Sequence, residues 1–384
     1  MRNPTSNIPQ LPLELIFTIM DLASTDLSQD QRNTLLSSCA LTCRAWSLMA
    51  QKLLFSSVRL SSQRAFDSFM GAVDPSVTHA RLLGEAVREL SVVLDHNQPS
   101  GLHQQSFAMA VTQCPNLRHV SISLYGCAEP GEDVIGAADT ARLRRLAPSF
   151  DETTLALLHS GPQVSSLHFD NWSENKDSVY QLLQVWTGLN TLSIGGTPPQ
   201  PLQESPVPFP CALENLYLNF QSSPSVEFLK WLLHNSSDSL RTLNLKRDPS
   251  NHVFDFLMEA YGSNLCSVSL PGYGTLEHSK SLQNCHQLRA LWTENPSCLS
   301  TLYKHLPKSI EHVSFRLDRD APLNSILDLV KRRKQMKGVI VHVSEGGNRH
   351  PLLPTLKASC AFRGIGLELV SDLQLYRSRQ VSTS

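Results

Sequence analysis

The sequence predicts an α/β chain: a short all-helical segment at the N-terminus, then a long ladder of parallel strands joined by helical returns. Three observations carry this. The pattern apolar-x-x-apolar-x-apolar recurs through residues 87–341. The segments between its copies hold apolar residues at helical spacing. Residues 11–54 lack the strand pattern and instead show apolar stripes at i, i+4 and i+7.

The first stripe is Leu15, Ile19 and Leu22, with Ile16 and Met20 beside it. Pro12 suits a first helical turn, where a missing N–H costs nothing. The polar run Ser24–Asp30 reads as a loop or helix entry. A second stripe starts at Leu35, Leu36, Cys39 and Ala40 and is expected to continue through Cys43, Trp46 and Ala50. Val58-Arg59-Leu60 reads as a strand, and residues 56–86 as a connecting segment or first cap.

The repeat copies are Val87/Leu90/Val92, Leu117/Val120/Ile122, Val164/Leu167/Phe169, Leu189/Leu192/Ile194, Leu213/Leu216/Leu218, Leu240/Leu243/Leu245, Leu265/Val268/Leu270, Ile310/Val313/Phe315 and Met336/Val339/Val341. Weaker copies at Leu143/Leu146 and Leu288/Leu291 lack the third apolar residue. With these included, successive first positions lie 30, 26, 21, 25, 24, 27, 25, 23, 22 and 26 residues apart. Such regularity predicts one strand and one helical return per unit. Helical returns are expected around Leu155/Leu158, Val179/Leu182, Val226/Leu229 and Val253/Phe256, with Asp151, Asp177 and Ser250 as helix starters. Residues 195–210 hold six prolines and are expected to form an extended loop. A flexible leader (1–10) and a flexible tail (371–384) are expected to flank the repeats of 87–370.

Composition narrows the function. Lys and Arg number 33 against 34 Asp and Glu, a net charge of −1, which lacks the basic excess of a general nucleic-acid binder. Nine cysteines are too few, and odd in number, for a disulfide scaffold. No run of 18 apolar residues and no apolar leader is present, so neither a membrane span nor export is expected. The thiols then belong to a reducing compartment, cytoplasm or nucleus. The N-x-S/T sequons at Asn171 and Asn235 read as chance.

Catalytic motifs are missing. The sequence holds no H-E-x-x-H, G-x-S-x-G, phosphate-loop or dinucleotide fingerprint. No enzyme activity, cofactor or metal is expected. Cys39 and Cys43 would share a helix face, but two ligands do not make a metal site, and buried small hydrophobes is the favoured reading. Asp318 and Asp320 read as turn residues. The run Lys331–Lys337 has five basic residues in seven; a helix C-terminus is favoured over a nuclear-localisation signal.

The N-terminal segment resembles an F-box. Leu11-Pro12-Leu13-Glu14-Leu15-Ile16, then Ile19, then Cys39-Ala40-Leu41-Thr42-Cys43-Arg44-Ala45-Trp46 follow the family pattern in order, and Leu54–Leu60 is similar to the exit of fungal members. The resemblance covers residues 8–55 and implies three helices that dock a Skp-type adaptor, and through it a cullin. The adaptor-binding residues it implies are Leu11, Pro12, Leu15, Ile16, Ile19, Leu41, Cys43 and Trp46. The remainder resembles the leucine-rich repeats that often follow an F-box, in an irregular form. Where such repeats carry a ladder of Asn, this chain has Asp95, Tyr125, Trp172, Thr197, Gln221, Asp248, Tyr273 and Asp318.

The resemblance therefore implies an irregular leucine-rich-repeat-like solenoid behind an F-box, acting as the substrate-recognition subunit of an SCF-type ubiquitin ligase. A repeat scaffold acting outside any ligase is the alternative. In a parallel ladder the outward positions are the fourth and sixth residues after each unit start. Among these, Tyr217, Lys246, Trp292, Glu294 and Arg316 are the expected contacts for a protein substrate, because aromatic and Arg side chains are common anchors.

Overall fold

The computed structural model describes residues 12–25, 27, 29–126, 147–173, 175–200, 207–271, 276–294, 303–373 and 375–377. The leader, Leu11, the weak copy at Leu143/Leu146, Tyr273 and the end of the tail lie outside them. The chain divides into two compact units, Met1–Val164 and Ser165–Ser384. Twelve strands are described, and each ladder pairs strands that follow one another in the chain, in parallel.

The first unit opens with α1 (Leu13–Thr25), α2 (Gln29–Thr42) and α3 (Arg44–Phe55). The carbonyl of Pro12 accepts the N–H groups of Leu15 and Ile16 at 3.1 and 3.2 Å, which places the proline immediately ahead of the first turn. Ile16 and Met20 turn inward to meet Leu36, Ala50 and Leu53, with Phe17, Cys39, Ala40, Trp46, Met49 and Leu54 packed around them. The expected single stripe from Leu35 to Ala50 is corrected here. Cys43 takes an extended backbone (φ −159°, ψ 165°) that ends α2 and starts α3, so Cys39 and Cys43 do not share a helix face. Arg32 of α2 ties the two helices together. Its guanidinium donates to the Leu53 carbonyl (3.3 Å) and the Ser56 hydroxyl (3.1 Å) at the C-terminal end of α3. A cation there adds a charged donor to the helix end and complements the helix dipole.

Next come β1 (Ser57–Leu60), α4 (Gln63–Ala72), α5 (Thr78–Ala86), β2 (Glu89–Asp95), α6 (Gln104–Thr112), β3 (His119–Tyr125) and α7 (Glu152–Ser160). Asp151 starts α7 as expected, its carboxylate accepting the Thr154 N–H at 2.7 Å. The three N-terminal helices thus share a compact unit with the first strands; α3 packs against α5 and β1.

The second unit runs β4 (Ser166–Trp172), α8 (Ser178–Val185), β5 (Thr191–Gly196), β6 (Asn215–Phe220), α9 (Val226–Leu232), β7 (Thr242–Leu245), α10 (Asn251–Tyr261), β8 (Ser267–Leu270), α11 (Leu276–Leu282) and β9 (Ala290–Thr293). It ends with β10 (His312–Leu317), α12 (Asn324–Arg332), β11 (Gly338–Val343), α13 (Leu353–Arg363) and β12 (Gly366–Val370). The weak copy at Leu288/Leu291 is a full strand, β9. The described residues of the proline-rich interval carry no helix. Asp177 stands at the start of α8 as expected, but its side chain makes no capping bond. The Asn175 side chain takes that role, accepting from the Asp177 and Ser178 N–H groups at 3.0 and 2.9 Å.

Backbone bonding explains the repeat period. At each unit entry one carbonyl accepts two successive N–H groups from the next unit. In the second unit Ser165 O receives Asn190 and Thr191, Asn190 O receives Glu214 and Asn215, and Glu214 O receives Arg241 and Thr242. The relay continues through Arg241, Cys266, Arg289 and Glu311. Side chains add stitches one unit apart. Ser239 and Ser309 hydroxyls donate to Leu213 O (2.8 Å) and Leu288 O (2.7 Å), and Asn264 donates to Ser237 O (2.8 Å). Asn116 does the same to Glu85 O in the first unit, at 2.9 Å. These bonds satisfy backbone between units that lack the regular Asn ladder.

The helix-facing positions of the strands are apolar and buried, as Leu192, Leu216, Leu243, Val268, Leu291 and Val313 illustrate. The basic run follows the favoured reading. Lys331 and Arg332 end α12, Arg333 donates to Leu306 O (2.6 Å), and Lys337 pairs with Glu311 at 2.7 Å. The α12 carbonyls of Val330 and Lys331 are taken by Arg363 of α13. Gly364, at φ 65°, closes α13 by turning left-handed, a conformation that disfavours residues with a Cβ.

Candidate interaction surfaces

The predicted docking residues separate into two groups. Ile16 is buried in the helical core and Trp46 packs against it. Pro12, Leu15, Ile19, Leu41 and Cys43 are exposed. Cys43 is therefore no buried hydrophobe, a correction that follows from its place at the turn between α2 and α3; Cys39 is half-buried. Leu15, Ile19 and Leu22 stand 50%, 55% and 69% exposed on one face of α1. Leu41, at 88%, is exposed near the end of α2. The adjacent face of α1 carries Ile16 and Met20 into the helical core, and Leu15, Ile19 and Leu22 stand outside that core.

The second surface is the outward face of the strands in the second unit. Register places one row across it: His168, Ser193, Tyr217, Asn244, Ser269, Trp292, Ser314, Ile340 and Glu368. Tyr217 is half-buried, while Lys246 and Arg316 are exposed. Trp292 and Glu294 depart from the expected exposed anchors. Trp292 is outward-facing yet only 1% exposed, because the C-terminal segment folds over it.

That segment corrects the expected flexible tail beginning at residue 371. Asp372 starts a helical turn, its carboxylate accepting the Leu375 N–H (3.2 Å) and its carbonyl the Tyr376 N–H (3.0 Å). Tyr376 is fully buried. Its ring stands edge-on to Trp292 at 5.5 Å between centroids and lies 5.3 Å from the His342 ring. Its hydroxyl donates to Thr293 O at 3.2 Å, and Arg377 grips Glu294 through two bonds of 3.0 and 2.9 Å. Sequence reasoning missed Tyr376 and Arg377; the apolar set Leu373, Leu375 and Tyr376 was the available signal against a free tail.

Burial pushes the Tyr376 phenol far above its ordinary range, so it stays protonated. Burial, together with Arg316, pushes His342 down. The Lys246 amine is lowered by partial desolvation and by Arg377, against opposing pulls from Glu294 and Asp170.

At the other end of this face, His168 bridges Ser193 (Nδ1 to Oγ, 2.7 Å) and Asp170 (Nε2 to Oδ2, 3.0 Å). Ser193 lies mid-strand between β4 and β6, where backbone amides serve the ladder rather than an oxyanion. The second oxygen of Asp170 is buried without a partner above Gly195, whose missing side chain leaves it room. Asp318 and Asp320 form the expected turn, the Asp318 carboxylate accepting the Asp320 N–H at 3.0 Å. Asn171 of the first sequon is buried and donates to Asn175 O at 2.6 Å.

Among the described residues no three His, Cys, Asp or Glu side chains converge as a metal site, and no helix is long and apolar enough to cross a membrane. No family model matches the chain, and no curated protein sequence matches it either.

Proposed function

We propose that this chain is the substrate-recognition subunit of an SCF-type cullin RING ubiquitin ligase. In this reading residues 8–55 are an F-box that docks a Skp-type adaptor, and the strand ladder is an irregular leucine-rich-repeat array presenting a protein target. The observation that carries it is the outer stripe of α1: Leu15, Ile19 and Leu22 are solvent-exposed in an ordered helix whose core is already complete. An apolar stripe at this spacing fits a helical groove on a partner. Removing the exposed remainder of each such side chain from water stabilises the complex by about 1 kcal/mol. Catalysis belongs to other subunits; this chain acts by proximity, raising the effective concentration of target lysines near a charged ubiquitin carrier.

Co-expression with a Skp-type adaptor tests the proposal. Co-purification that is abolished by Pro12→Ala with Leu15→Asp supports it. Absence of binding at micromolar protein rejects it in favour of a repeat scaffold acting outside a ligase.

A further inference from the structure

The contact between the C-terminal turn and the outward face has the composition of a recognition site. Three groups stand together on that face. Trp292 and His342 offer an aromatic wall, the Thr293 carbonyl offers an acceptor, and Glu294 offers a carboxylate fork. Together they match a tyrosine, ring and hydroxyl, followed directly by an arginine. Tyr376 and Arg377 supply that pair from 83 residues away in the chain. The rim is half-exposed: the side chains of Arg377 and Glu294 are 44% and 29% accessible, so their ion pair is a weak latch. The fit is also incomplete. The buried Trp292 Nε1 finds no acceptor beneath the turn, so an occupant with one more acceptor than the tail satisfies the face better.

We infer that this patch is a peptide-binding site held closed by the chain's own C-terminal turn, and that its partner is a protein segment carrying Tyr-Arg. The tail is then an internal competitor: a partner must displace it, which lowers apparent affinity by the fraction of molecules that are open. This gives the recruiting surface of the proposed function a partner chemistry. Its test needs no adaptor, so the two readings fail separately.

The experiment is a fluorescence-anisotropy titration of a labelled peptide of residues 371–377, Ser-Asp-Leu-Gln-Leu-Tyr-Arg, into the full chain and into its Arg377→Glu variant. The variant, with its tail released, is expected to bind the peptide about tenfold more tightly than the unaltered chain. Changing the peptide's Tyr to Ala or its Arg to Glu should remove that binding. Adding Glu294→Arg to the Arg377→Glu chain restores the ion pair with reversed charges and also places a cation against the peptide's own arginine, so peptide binding should be lost. Equal peptide binding by the unaltered and Arg377→Glu chains overturns the inference, as does binding that survives loss of the peptide tyrosine. Arg377→Gln, a milder change, provides the same comparison if the charge reversal disturbs folding.

Discussion

Tyr376 donates its phenolic hydrogen to the carbonyl of Thr293, 3.2 Å away and 83 residues earlier in the chain. This bond, the ring packing beside it and the Arg377–Glu294 ion pair together hold the end of the chain on the outward face. Tyr376→Phe should cost about 1 kcal/mol, the worth of a buried neutral hydrogen bond. Tyr376→Ala should cost about 3 kcal/mol through the cavity left against Trp292. Urea unfolding of both variants measures this; equal losses would show that the ring contributes nothing.

Arg32→Ala should lower stability by about 1 kcal/mol, because the Leu53 carbonyl and the Ser56 hydroxyl lose a charged donor and the α3 dipole its cation. Arg32→Lys should recover only part, since an ammonium lacks the planar fork that spans Leu53 O and Ser56 Oγ. Denaturant midpoints of the two variants check the order.

Gly196 sits at φ +84°, and a Cβ there would run into the Asn171 backbone of the neighbouring strand. Gly196→Ala should therefore cost about 1–3 kcal/mol. Gly195→Ala meets the movable end of the Asp170 side chain first, with the Asn219 Cβ and carbonyl oxygen farther off at 3.3 Å, and should cost less. A calorimetric comparison of the two settles the ranking.

The strands were legible because each carries two or three apolar residues on a face that must be buried, a rule that needs no knowledge of neighbours. The weak copy at Leu288/Leu291 lacked its third residue because Thr293 fills that position, bonding through its hydroxyl to Tyr303 at 3.1 Å. The outward face was less legible. Its positions followed from period-two alternation, which says where Trp292 points but not that a segment from the chain's end covers it. Local signals located Asp177 at the start of α8 but missed that Asn175, two residues earlier, does the capping. At Cys43 a continuous apolar pattern concealed a break between two helices.

His96, His312 and His342 are all held below their ordinary pKa, chiefly by burial. The unfolded chain therefore binds protons that the folded chain resists. Stability from these groups is complete above the unfolded histidine range, about 6.5, and falls as pH drops below it. The groups facing His342 are Arg316, Arg377 and Glu294, with a backbone hydrogen bond at Ser371. The urea midpoint should fall between pH 7.5 and 5.5, and His342→Gln should reduce that slope. A midpoint that rises on acidification would contradict the assignment.

Calorimetric titration of a purified Skp-type adaptor is the most direct test of the proposed docking on the outer stripe of α1. The unaltered chain should bind saturably. Ile19→Asp should weaken binding by at least about tenfold while the thermal midpoint stays unchanged, because Ile19 is 55% exposed and lies outside the helical core. Adaptor affinity indifferent to Ile19→Asp and Leu15→Asp, in chains that remain folded, would contradict the account.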